Sequence, residues 1–138
     1  MDAEGAAIEN PDPKAGLYVC KRDGSVGKVK LPQDHIGFQI GETAQILSGG
    51  ILQATPHAVR AANVEGVCRS TLAVFMEPEM DCKMTMPAGV SEEDMLKSEK
   101  RAECKEAGVE VVIPSFTTRW KGDYDFGTFT QKTFEAYY

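Results

Sequence analysis

The chain has 138 residues, 42% of them hydrophobic and 26% charged, with a net charge of −6. That is enough apolar material for one domain of ordinary size, and its sign of charge disfavours nucleic acid, whose phosphates need a basic surface. No apolar run approaches the roughly 18–20 residues that cross a bilayer. Met1-Asp2-Ala3-Glu4-Gly5 has neither the basic start nor the apolar stretch of a secretory signal. The expectation is a cytoplasmic protein with no membrane or nucleic-acid partner. Cys20, Cys68, Cys82 and Cys104 contain no C-x-x-C pair, which argues against a zinc knuckle, and a disulfide framework is not expected. Cys20 and Cys68 lie in apolar strand patterns and read as small buried hydrophobes.

Residues 1–15 end in Asn10-Pro11-Asp12-Pro13-Lys14 and read as a loop leading into the domain. Gly16 to Lys21 and Val26 to Leu31 read as strands joined by an Asp23-Gly24-Ser25 hairpin turn. Ile36 to Ile40 is the next predicted strand, and Gly41 to Leu47 a single helical turn broken by Ser48-Gly49-Gly50. Ile51 to Ala61 is a strand that Pro56 makes irregular or confines to a sheet edge. Val67 to Met76, ended by Pro78, is the strongest strand pattern, apolar on both faces and therefore expected to be buried on both. Successive short strands with turns between them predict an antiparallel sandwich or barrel. After a loop-like stretch over 77–90, Ser91 can cap a surface helix with Asp94 in the position of a capping-box acid, and Gly108 closes it. The charges of Lys97 to Lys105 alternate with Glu99 and Glu103, as on a solvated helix. Val109 to Ile113 reads as a strand or buried linker, and Thr128 as the cap of a last helix over Phe129 to Tyr138.

His57 shares one face of its strand with Gln53, Thr55 and Val59, and Arg69 shares one face of the next strand with Thr71. A guanidinium in an apolar strand needs a partner. Its planar fork suits a carboxylate, and a hydroxyl two residues on points the same way, so the pair is a receptor for a dicarboxylic acid. The residues alone leave open that Arg69 pairs with an internal acid and that His57 is a hydrogen-bonded structural histidine.

The order of three segments narrows these alternatives. Gly41-Glu42 leads into Gln45-Ile46-Leu47-Ser48-Gly49-Gly50, Thr55-Pro56-His57-Ala58-Val59 follows, and Arg69-Ser70-Thr71 opens a strand ending at Glu77-Pro78. This run resembles the C-terminal half of the iron(II)/2-oxoglutarate-dependent dioxygenases of the isopenicillin-N-synthase-like type. The resemblance implies a mainly β fold: half of a double-stranded β-helix (jelly roll) over 16–86, with a C-terminal helical extension over 87–138. It implies an enzyme that oxidises a small organic substrate with O2 while 2-oxoglutarate is decarboxylated to succinate. His57 would then be the distal ligand to Fe(II), while Arg69 and Thr71 would bind the far carboxylate of the cosubstrate 2-oxoglutarate. A neutral imidazole suits Fe(II), and two histidines with one carboxylate leave positions free for 2-oxoglutarate and O2.

The family's H-x-D/E motif has no counterpart in the chain. His35, the other histidine, is followed two residues on by Gly37 and reads as a turn residue, not a ligand. By family position that motif would fall just before residue 1, so the 138 residues are expected to be a C-terminal part, inactive alone and without a catalytic residue of their own. The alternatives are a non-catalytic jelly-roll fragment or a cupin-like binding or interaction module.

Overall fold

A computed structural model describes residues 1–32, 34–96 and 114–138. Strands β1 (Gly16–Cys20) and β2 (Val26–Lys28) form the expected antiparallel hairpin, with Cys20 opposite Val26 and Tyr18 opposite Lys28. Its turn is built by local polar groups. Gly24 takes φ +81°, and the Asp23 carboxylate accepts from the Ser25 backbone N–H at 2.9 Å and the Ser25 hydroxyl at 2.7 Å. Strand β3 (His57–Arg60) adds to the other side of β1, with Val19 opposite His57 and Gly16 opposite Arg60. The sheet order is β2-β1-β3, so β3 is an edge strand, as Pro56 requires. The carbonyl of Pro56 still accepts from the Cys20 N–H at 2.9 Å.

Helix α1 (Glu42–Leu47) stands where a single turn is expected. It ends in a Schellman motif: the Gly50 N–H reaches the Gln45 carbonyl and the Gly49 N–H reaches that of Ile46, both at 2.9 Å. Gly49 and Gly50 take φ +63° and +84°. A Cβ on Gly50 would lie 3.0 Å from Cα of Met95, so the turn needs glycine for conformation and for space. Met95 belongs to α2 (Glu92–Leu96), whose Ser91 hydroxyl accepts from the Asp94 N–H at 3.1 Å, the cap that the sequence predicts. The rest of that expected helix, with Lys97 to Lys105, Cys104 and the 109–113 segment, lies outside the described residues.

Helices α3 (Phe116–Arg119) and α4 (Phe126–Tyr137) complete the described elements. Helix α4 starts three residues before the expected position, because Asp125, not Thr128, is the cap: its carboxylate accepts from the Thr128 N–H at 2.8 Å. The preceding loop is strapped to this start. The Phe126 N–H donates to the Cys82 carbonyl, and the Gly127 N–H to that of Met80, both at 2.8 Å. The hydrophobic core gathers here, in Ile46, Met84, Met95, Phe116, Trp120, Phe126 and Phe129.

Three strand expectations are corrected. Ile36 to Ile40 forms no strand, and Phe38 is 87% exposed. The segment 51–61 is strand only over β3. Val67 to Met76, expected to be buried on both faces, has no regular structure, and Leu72 is 92% exposed. The described residues thus form a small three-stranded antiparallel sheet with short helices, rather than the expected jelly roll. Strand propensity reflects a half-buried pleated environment with neighbours, and beyond the contact of Met1 with Cys68 and Ser70 no described backbone pairs with 67–76 to supply one. Cys68, expected buried, is an exposed free thiol. Cys20 is buried and disulfide-bonded, where no disulfide was expected.

Candidate functional site

His57 opens β3 and is placed by two residues outside it. The buried Gln45 of α1 accepts from the Ala54 N–H at 2.8 Å and donates to the Met95 carbonyl at 3.3 Å. This fastens the approach to β3 onto α1 and α2. Pairing with Val19 then sets the position of His57 itself. The imidazole is exposed. Its Nδ1 lies 2.9 Å from Nε2 of Gln39 and 3.3 Å from the Thr55 carbonyl. The shorter contact needs Nδ1 to accept from the amide. The longer one needs Nδ1 to donate, which makes Nε2 the acceptor, and the same Gln39 amide lies 3.4 Å from Nε2 and can donate there instead. Nothing in the sequence marks Gln39, because its segment reads as a strand with no feature pointing at His57.

Arg69 and Thr71 are exposed and lie in the segment without regular structure. No hydrogen bond or ion pair joins either to another described residue, and no strand pairing brings them beside His57. His35 sits in a turn, with Nδ1 2.8 Å from the neighbouring Asp34 carboxylate. Among the described residues no group of three His, Cys, Asp or Glu side chains could hold a metal ion. An Fe(II) site therefore does not fit the described residues alone, whose two imidazoles, His35 and His57, no contact or strand pairing brings together.

Among the described residues the buried arginine is Arg119, which no sequence motif marks. Its Nη1 and Nη2 donate to the Glu42 carboxylate at 2.7 and 2.8 Å, and its Nε to the Pro114 carbonyl at 2.9 Å. Nη1 also reaches the Thr133 hydroxyl at 3.2 Å. The guanidinium carbon lies 5.4 and 5.8 Å from the ring centres of Phe116 and Phe129. This fork-on-fork pair ties α3 and α4 to α1, and thereby to the Gln45 anchor of the His57 strand.

Comparison with known proteins finds a partial likeness to an oxygenase. Over 93 residues, 67% of the chain, it is 39% identical to Jasmonate-induced oxygenase 4 of Arabidopsis thaliana. The likeness is distant and partial, and the chain spans 24% of that protein's length. No protein-family model matches the chain, and no solved structure matches it.

Proposed function

We infer that the chain is the cosubstrate-anchoring part of an Fe(II)/2-oxoglutarate-dependent dioxygenase. The observation that carries this reading is the 39% identity to an oxygenase. The order Gly41-Glu42, Thr55-Pro56-His57 and Arg69-Ser70-Thr71 is in keeping with it. On this reading His57 is one iron ligand, and Arg69 with Thr71 receives the far carboxylate of 2-oxoglutarate. The remaining ligands belong to polypeptide beyond these residues, in keeping with a match to 24% of the relative's length. The partner is a small organic substrate.

The test is an anaerobic titration with Fe(II) and 2-oxoglutarate, followed by the weak visible charge-transfer band of the ternary complex. These 138 residues alone should give no band, and a clear one would overturn that expectation. A longer polypeptide that supplies the H-x-D/E motif should give the band and lose it on His57→Ala. Retention of the band in that variant would remove His57 from the reading.

A further inference from the structure

Residues 69–78 are an apolar strand pattern whose one side-chain hydrogen bond to another described residue runs from the Ser70 hydroxyl to the Met1 sulfur at 3.0 Å. Val74, Phe75 and Met76 are 81%, 82% and 85% exposed. None of the backbone groups from Arg69 to Pro78 bonds to another described residue. None has positive φ, so nothing in the backbone opposes an extended conformation.

In an extended strand, alternate residues direct both backbone groups to opposite edges. The even-numbered edge is occupied at its start: the Cys68 N–H donates to the Met1 carbonyl at 2.9 Å, and its carbonyl accepts from the Met1 amino group at 2.8 Å. The odd-numbered edge, from Arg69 to Glu77, is open.

We propose that this open edge pairs antiparallel with the same edge of a second copy of the chain, about a two-fold axis at Ala73. The sequence is self-complementary in that register. Arg69 stands opposite the second copy's Glu77, Thr71 opposite Phe75, and Ala73 opposite itself, while Leu72 meets Val74 on the other face. The two-fold axis forms the Arg69–Glu77 pair twice. Opposite charges and apolar side chains directly across a ladder stabilise it, and like charges there destabilise it. Glu79 cannot replace Glu77 as the partner of Arg69, because its carbonyl already accepts from the Cys82 N–H at 2.9 Å in the following turn. The pairing concerns this chain on its own and does not rest on the oxygenase reading.

The experiment is sedimentation equilibrium of the whole chain over a wide concentration range. Cys68→Ser is used throughout so that the exposed thiol cannot link copies. The mass should rise from 15.0 kDa towards twice that value. Arg69→Glu and Glu77→Arg should each weaken the dimer by about tenfold or more, because two attractions become two repulsions. An equimolar mixture of the two variants should associate again, since each reversed charge then faces its complement. Ala73→Pro removes the central N–H and should leave a monomer. All three residues are exposed and unbonded, so none of the changes should move the thermal unfolding midpoint of the monomer. The proposal is overturned by a mass that stays at 15.0 kDa, by association unaffected in these variants, or by a mixture that associates no better than its components.

Discussion

Two arginines divide the residue scale between them. Arg69 drew attention because it interrupts an apolar strand pattern, yet the structure leaves it exposed. Arg119 sits in Thr117-Thr118-Arg119-Trp120, a stretch that no sequence motif marks, yet its side chain is fully buried. Its partner Glu42 lies 77 residues away, and no local pattern reports so distant a pairing. Removing the buried guanidinium leaves the half-buried Glu42 carboxylate without its partner, so Arg119→Ala should cost about 2–3 kcal/mol. Replacing both, as Arg119→Met with Glu42→Met, should recover most of that loss, because no unpaired charge remains. Urea unfolding of the two variants beside the parent chain measures both. Arg69 has a different expected signature. In a longer oxygenase carrying this segment, Arg69→Ala should weaken 2-oxoglutarate binding by about 2–4 kcal/mol, the loss of one charge-assisted partner. Calorimetric titration that finds unchanged affinity would sink its assigned role.

Among the elements, those defined by turn and cap chemistry were the legible ones. The Asp23-Gly24 hairpin, the Ser48-Gly49-Gly50 stop and the Ser91 cap rest on groups a few residues apart, and each stands where the sequence placed it. The start of α4 was misread because Asp125 and Thr128 are both able caps, and only Asp125 is positioned to accept. Hydrogen bonds from Thr128, side chain first and backbone second, hold the Asp125 carboxyl below the usual aspartate value of 3.8. A depressed folded value means that the charged cap stabilises the fold above about pH 4, with the contribution lost as pH falls from there through the folded value. Acid titration of helicity should therefore show a step that Asp125→Asn removes, since an asparagine caps without titrating. The glycine turns give a second test. Gly66 (φ +71°) has open space where a Cβ would stand, whereas at Gly50 (φ +84°) that Cβ would meet Met95. Gly66→Ala should cost about 1–2 kcal/mol for the left-handed backbone alone, and Gly50→Ala clearly more. Equal losses in thermal unfolding would refute the contact.

At the scale of the whole molecule, hydrophobic pattern and burial part company. The segments around Phe38 and Phe75 carry the apolar patterns of strands, yet both residues lie open to solvent. Pattern records the surroundings a strand suits, and the described residues place no second sheet against these two. The core instead forms among the C-terminal aromatics and methionines, where the sequence reads as a loop, a surface helix and a last helix rich in aromatics. His57 was legible as a strand residue, but its contact with Gln39 was not, because it joins segments 18 residues apart. The core has an optical consequence. Trp120 is the single tryptophan; it is buried, and its indole N–H donates to the Met84 carbonyl at 2.9 Å. None of the three strands contributes to the cluster around it. Its emission is therefore a gauge of the helical half and is blind to the hairpin and β3. Denaturation followed by tryptophan fluorescence should show a later midpoint than hydrogen exchange of the β1 amides, and coincident curves would mean that sheet and core melt as one unit. A folded-like emission spectrum would then certify the aromatic core while saying nothing about the strand that carries His57.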